Sequence, residues 1–375
     1  DSIVEIQYLP EQEAIMLASS AGVLLLINVL SHEVQCLGVS HQVETVGHID
    51  GGIWSASWSP DQEMCAIATR NSTMILMTKV FPWPRVLQEW DVLYEVPLAP
   101  NKVPDFSFTY QESDPIHETD GCACSAITIV AVISWRGDGL FFACLSRLDS
   151  SRRIRVWDRN CQLQSSSESV PASTPIKGSP VDNDGMVRLL SWRPSGSLIA
   201  SAQRRTTFHE IIFFERNGLR HGEFNIEPTP LLPAPDKANT SQMRVLDLSW
   251  NADSDLLAVT CDSYSEDGKE RSQSVVVQLW STSNFLWYLK QVCVCSLHAQ
   301  SFSWPISDSL ESIRAVWDPE NPMRLAIISK GCIRWLEFCW DVCVSPSPSR
   351  TVAVVENSRV LITPLSHMPI PPPMS

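Results

Sequence analysis

Five times along the chain, a Trp closes a run of small residues. A short turn-rich stretch follows it, and then an apolar run of strand length. The copies read SWSPDQEMCAIAT from Ser57, SWRGDGLFFACL from Ser134, SWRPSGSLIASA from Ser191, SWNADSDLLAVT from Ser249 and VWDPENPMRLAII from Val316. Each continues into a second run dominated by Val, Ile, Phe and Trp: TMILMTK from Thr73, RIRVWDRN from Arg153, EIIFFERNG from Glu210, SVVVQLWSTSN from Ser274 and GCIRWLEF from Gly331. Turn residues bound these runs, so they read as strands joined by hairpins. GLRHGEFNI from Gly218 and NFLWYLKQV from Asn284 supply a further strand in two of the repeats. A weaker copy occupies residues 4–38, with Tyr8 in the place of the Trp, and a partial one begins at Thr351. Helical periodicity is poor throughout.

Short strands recurring at a period of roughly 40 to 60 residues, about four per unit, predict an all-β chain folded as a β-propeller. The expected architecture is a WD-repeat propeller of about seven blades, one or two of them incomplete, over residues 1–367. A blade is a twisted sheet that buries its faces only against its neighbours. A large ring at the end of an inner strand fills the wedge between two blades, which assigns Trp58, Trp135, Trp192, Trp250 and Trp317 a structural, inter-blade role. The Pro, Gly or Asp that follows turns the chain into the next strand. Val156-Trp157-Asp158 is the WD dipeptide of such repeats, and Leu279-Trp280-Ser281 holds the same place.

Charge and composition narrow the function. The 375 residues carry a formal net charge of −14, which argues against a nucleic-acid grip by this chain alone. Arginines gather at Arg152-Arg153-Arg155, Arg204-Arg205 and Arg216 with Arg220, and on an acidic chain these read as solvated loops or strand edges. No apolar run approaches the roughly 20 residues of a membrane span. The chain begins at Asp1 and reads as an internal fragment. The twelve Cys show no C-x-x-C knuckle, and Cys65, Cys144, Cys261 and Cys332 lie within apolar runs as small hydrophobes, so no metal site is expected. No nucleophile elbow, phosphate loop or zinc-protease motif occurs, so no catalytic residue and no cofactor are assigned. His48, in VGHIDGG, stands where WD repeats carry a Gly-His element and is expected to hydrogen-bond within its blade. MPIPPPMS, residues 368–375, is expected to be an extended proline-rich linker.

The stretches WSPDQE, WRGDGLFFA, RVWDRNCQLQS, WRPSGSLIAS, IIFFERNGLRHGEF, LSWNADSDLLAV, VQLWSTSNFLWYLKQ and AVWDPENPMRL resemble the N-terminal WD-repeat propeller of the Elongator complex protein 1 family, and VAVVENSRVLITPLSHMPIPPPMS resembles its close. The resemblance covers most of residues 4–79, 133–290 and 311–375. It implies a non-catalytic scaffold subunit of Elongator, the assembly that modifies the tRNA wobble uridine. The implied partners are a catalytic subunit of the radical S-adenosylmethionine and acetyltransferase-like kind and a second propeller subunit. Contact with tRNA would come through the full complex, dimerisation through a helical region outside this chain, and residence would be cytoplasmic and also nuclear. A WD-repeat scaffold of an unrelated intracellular complex is the alternative. Residues 80–132, 291–310 and 339–349 depart from the family pattern in Cys, Pro and Ser content. Residues 80–132 are expected to lack the inner strand ahead of WRGDG and to be mostly irregular, apart from a strand near Ile127–Trp135.

Overall fold

The computed structural model describes residues 2–10, 13–28, 43–80, 89–98, 131–148, 151–168, 185–205, 208–226, 241–265, 271–283, 286–296, 313–329, 332–339, 351–356 and 359–364. All regular structure among them is β, in antiparallel sheets whose strands follow one another in sequence order. The chain divides into two compact units, residues 1–206 with 210–223, and residues 207–209 with 224–375.

In the first unit, β1 (Ile3–Leu9), β2 (Ala14–Ser19), β3 (Val23–Asn28) and β4 (Val43–His48) form one sheet. The second consists of β5 (Ile53–Trp58), β6 (Met64–Thr69), β7 (Thr73–Val80) and β8 (Glu89–Pro97). The third holds β9 (Val132–Trp135), β10 (Phe141–Leu148), β11 (Ser151–Asp158) and β12 (Leu163–Ser166). The fourth holds β13 (Ser191–Trp192), β14 (Ile199–Arg204), β15 (His209–Phe214) and β16 (Arg220–Asn225), the start of β15 and the end of β16 being grouped with the second unit.

The second unit contains the four-stranded sheet of β17 (Ser241–Trp250), β18 (Leu256–Ser265), β19 (Arg271–Ser283) and β20 (Leu286–Ser296). It also holds the three-stranded sheet of β21 (Arg314–Trp317), β22 (Arg324–Ser329) and β23 (Cys332–Glu337), and the pair β24 (Thr351–Glu356) and β25 (Arg359–Pro364).

The middle strands of the second, third and fourth sheets and of the β17–β20 sheet read as unbroken apolar runs because these sheets bury both faces. In the third sheet, Phe142, Cys144 and Trp157 pack with Ala66, Met74 and Leu76 of the second. Their neighbours in sequence, Ala143, Leu145 and Val156, point the other way and pack with Trp192, Ile199, Ile212 and Phe214 of the fourth. Leu9, Met16 and Leu24 meet Ile53, Ile67 and Met77 between the first and second sheets. In the second unit, Ala258, Val275 and Val277 meet Ala315, Trp317 and Leu325.

The hairpin after each of four tryptophans is the same object. Ser59, Arg136, Arg193 and Asn251 each donate their amide to the carbonyl of the residue five ahead: Met64, Phe141, Leu198 and Leu256. Each carbonyl accepts the amide three ahead, and that donor sits at positive φ: Gln62 (59°), Gly139 (67°), Gly196 (85°) and Ser254 (66°). The turn demands a left-handed residue at its fourth position, and glycine meets that demand at no steric cost in two of the four. The fifth hairpin is longer, with Asp318 donating to the Arg324 carbonyl at 2.9 Å.

Two expectations need correction. The second sheet takes its fourth strand, β8, from within residues 80–132, paired from Thr73↔Pro97 to Val80↔Glu89. Its alternation in EWDVLYEVP suits an outer strand, and Pro97, at the strand end, is a residue that edges tolerate. The first strand ahead of WRGDG is also present, as the four-residue β9 paired with β10; residues 99–130 lie outside the described residues. Likewise β20 runs to Ser296, into the segment 291–310, because Gln291–Ser296 continue the ladder with β19. Of the segment 339–349, only Cys339 is described; the linker 368–375 also falls outside.

Candidate functional site

Trp58, Trp135, Trp192, Trp250 and Trp317 each end the first strand of a sheet. Their cross-strand partners are Cys65, Phe142, Ile199, Leu257 and Leu325. Trp135, Trp192, Trp250 and Trp317 are buried, and Trp58 is half-buried beside a small apolar cavity lined by Met16, Leu24, Cys65 and Ile67. Tyr8 occupies the corresponding register opposite Ile15 but is 49% exposed, so it does not share the buried setting of the other aromatics.

Between neighbouring sheets the indole and the strand backbone make a two-point latch. Trp135 Nε1 donates to the Ser57 carbonyl at 2.8 Å, and Trp317 Nε1 donates to the Ser249 carbonyl at 3.0 Å. The second point lies at a bulge three residues before the preceding Trp. There Ser55 Oγ accepts the Ile133 amide at 3.3 Å. In the second unit Asp247 holds that bulge position and accepts the Ala315 amide, as well as the Leu248 amide at 3.0 Å. Burial pushes the Asp247 carboxyl up, opposed by Arg314 and by the two amides. The third and fourth sheets use a variant: the Trp192 amide donates to Ser134 Oγ at 2.9 Å, and Trp192 Nε1 to the Gly196 carbonyl of its own hairpin at 3.4 Å.

A charged clamp adds to the latch. Arg159, in the turn after Val156-Trp157-Asp158, reaches the hairpin after Trp58, at 2.8 Å from Asp61 Oδ2, 3.1 Å from Glu63 Oε2 and 3.2 Å from Met64 Sδ. Asp158 Oδ1 shapes that turn by accepting the Asn160 and Gln162 amides, each at 2.9 Å. Trp157 is buried, as is Trp280, whose Nε1 donates to Gln278 Oε1 at 3.0 Å. Neither Arg159 nor the bulge acceptors were singled out in the sequence. Their partners lie roughly two strands and a connection away, and no local pattern marks them.

The other candidates divide. His48 is on the surface, its Nδ1 3.4 Å from Asp50 Oδ1, rather than bonded inside a sheet. Arg155 is a correction to the solvated reading of the arginine clusters: it is 4% exposed and donates to Ser146 Oγ at 2.8 Å. Arg216 stacks 4.9 Å from the Phe141 ring centroid, and Arg220 pairs with Glu210 and Glu223. Burial raises the thiols of Cys65, Cys144, Cys161 and Cys261, that of Cys144 to about 12. Protonated, buried thiols are poor nucleophiles and poor ligands. Among the described residues no group of His, Cys, Asp and Glu is placed to hold a metal, and no helix is long and apolar enough to cross a membrane. The arrangement built here joins rigid sheets.

The family model described as "ELP1 first N-terminal beta-propeller" matches residues 1–108 and 115–320. The chain belongs to the Elongator complex protein 1 family. It is 33% identical over 395 residues to Elongator complex protein 1 of Rattus norvegicus, covering 99% of this chain and 26% of that protein. Elongator complex protein 1 of Arabidopsis thaliana is 30% identical over 385 residues, with 100% and 24% covered. For that of Saccharomyces cerevisiae the figures are 30% over 386 residues, with 88% and 24% covered. The chain therefore spans about a quarter of the length of these relatives. The fold is that of an all-β propeller, as the family description has it. The match includes most of residues 80–132 and all of 291–310. Six sheets of three or four strands are formed among the described residues, and β24 with β25 remains a two-stranded pair.

Proposed function

We propose that this chain is the first propeller of a non-catalytic scaffold subunit of Elongator, required for modification of the tRNA wobble uridine to its carboxymethyl, methoxycarbonylmethyl and carbamoylmethyl forms. The family match across residues 1–108 and 115–320 carries the reading. The latched sheets support it, since a rigid body with loop-built ends suits the holding of other subunits rather than chemistry of its own. In this reading Trp58, Trp135, Trp192, Trp250 and Trp317 are the inter-blade packing residues of WD repeats, β24 and β25 belong to a seventh blade, and residues 368–375 form the linker out of the propeller. The partners are the catalytic subunit and a second propeller subunit. The scaffold meets tRNA through the full complex and dimerises through a region outside this chain, in the cytoplasm and the nucleus.

A scaffold acts by placement, and misplacing reacting groups by about 1 Å costs on the order of a hundredfold in rate. Removing the parent gene is expected to lower the carboxymethyl-type wobble uridines in tRNA, read by mass spectrometry of nucleosides, in step with the amount of catalytic subunit that co-purifies. Unchanged wobble uridines in a clean knockout reject the Elongator reading and favour a scaffold of another complex.

A further inference from the structure

Asn217-Gly218 is the only Asn-Gly pair in the chain. An asparagine is most reactive in this setting, because a glycine nitrogen has no Cβ beside it to hinder attack on the preceding side-chain amide. Asn321 precedes Pro322, which has no N–H, and Asn71 and Asn160 precede Ser72 and Cys161, whose side chains obstruct the approach. Asn217 and Gly218 lie in the hairpin between β15 and β16, Asn217 exposed and Gly218 buried.

The closed hairpin commits the atoms that would react. The Gly218 amide donates to the Glu215 carbonyl at 2.9 Å, and Asn217 Oδ1 accepts the Leu219 amide at 2.9 Å. Asn217 Nδ2 donates to Glu215 Oε2 at 3.1 Å, and Glu215 Oε1 lies 3.0 Å from His221 Nδ1. The hairpin is in turn pinned to the third sheet. Ser165 Oγ donates to the Arg216 carbonyl, and the Arg216 guanidinium stacks 4.9 Å from the Phe141 ring centroid. Gly218, at a φ of 88°, passes so close to β12 that a Cβ there would lie 2.7 Å from the Ser166 carbonyl oxygen. We propose that Asn217 is a deamidation site gated by opening of this hairpin, and that its isoaspartyl product releases the hairpin from the third sheet.

In the opened hairpin the Gly218 nitrogen gives up its proton and bonds to Asn217 Cγ. The Cγ–Nδ2 bond breaks and ammonia leaves. Water then opens the cyclic imide at either carbonyl, leaving aspartate or isoaspartate at position 217, with no oxidant or reductant involved. Isoaspartate routes the main chain through the former side-chain methylene and so lengthens it by a carbon just before Gly218, where Ser166 leaves no space. Either product also replaces the Nδ2 donor to Glu215 by a carboxylate oxygen, and two carboxylates at that contact repel.

The test incubates the full chain in mildly alkaline buffer and maps it at intervals by peptide mass spectrometry, with isoaspartate counted by enzymatic methyl transfer from S-adenosylmethionine. Conversion is expected at Asn217 ahead of every other asparagine. In urea, where the hairpin is open, it should run at least about tenfold faster, the factor set by about 1.4 kcal/mol of local opening free energy. Ser165→Ala, which deletes one pin, should speed conversion of the native chain severalfold. Amides of residues 215–221 should exchange hydrogen faster in the isoaspartyl protein than in fresh protein. An Asn217 that stays intact while other asparagines react overturns the assignment. Equal rates in buffer and in urea, or in Ser165→Ala and its parent, overturn the gating, and unchanged exchange in the isoaspartyl protein overturns the release. The urea comparison needs no variant and decides the gating even if Ser165→Ala does not fold.

Discussion

The indole N–H of Trp135 donates to the carbonyl of Ser57, 78 positions earlier, at 2.8 Å. Trp317 repeats the bond to Ser249 at 3.0 Å across 68 positions. In each case the donor ends the first strand of one sheet and the acceptor precedes the Trp of the sheet before it. Ring and hydrogen bond therefore act together at a single seam. Trp135→Phe keeps much of the apolar area and deletes the donor, and should cost roughly 1 kcal/mol. Trp135→Ala and Trp192→Ala also open a cavity and should cost roughly 3–5 kcal/mol. Urea unfolding of the three variants checks the order, and a Phe variant as damaging as the Ala variant contradicts it.

The Arg159 clamp is partly exposed, so its contribution is small. Burial raises the Asp61 carboxyl, but the Ser59 hydroxyl, the Glu63 amide and Arg159 outweigh burial and hold it below its usual range. A carboxyl lowered in the fold adds stability above its unfolded pKa, and that stability is lost as pH falls through the folded value. Arg159→Ala should cost about 1 kcal/mol or less at neutral pH. The gap from the parent protein should close as the solution is taken below the ordinary Asp range near pH 4. Denaturation midpoints at pH 7 and pH 3 measure both ends; a gap that widens in acid contradicts the assignment.

Glu5 takes the place in the first sheet that Ser55 and Asp247 take in theirs, at a bulge three residues before Tyr8. Desolvation raises its carboxyl to about 7. The sign is opposite to that of Asp61: the folded chain binds the proton more tightly than the unfolded one. Stability from this group is therefore full below its ordinary pKa of 4.5 and is lost as pH rises to about 7. Glu5→Gln should leave stability unchanged at pH 4 and raise it at pH 8. Equal midpoints for parent and variant at pH 8 reject the shifted carboxyl.

Thiol labelling gives an independent view of the core. Cys65, Cys144 and Cys261 are fully enclosed, whereas Cys339 is exposed. Brief treatment with a maleimide followed by peptide mass mapping should modify Cys339 and spare the three buried thiols until denaturant is added. Rapid native labelling of Cys144 would place the seam between the second and third sheets in solvent.

Much of this architecture is local and so was written in the sequence. A Trp, a four-residue hairpin closed by a left-handed residue, and an apolar strand are set by neighbours within a dozen positions, and the meander keeps each ladder between consecutive strands. The unbroken apolar runs also announce sheets covered on both faces. β8 was legible too, in the alternation of EWDVLYEVP, but its unusual surroundings masked it. What tertiary structure alone decided is which distant groups meet. The Ser57 carbonyl waits for Trp135, Asp61 for Arg159 and the bulged Ser55 for the Ile133 amide, across 78 to 98 positions. Connections of uneven length separate these partners, so no period in the sequence encodes their pairing. It follows only from stacking twisted sheets face to face. The same stacking decided that Trp135 is buried while Tyr8, in the same register, is left half in solvent.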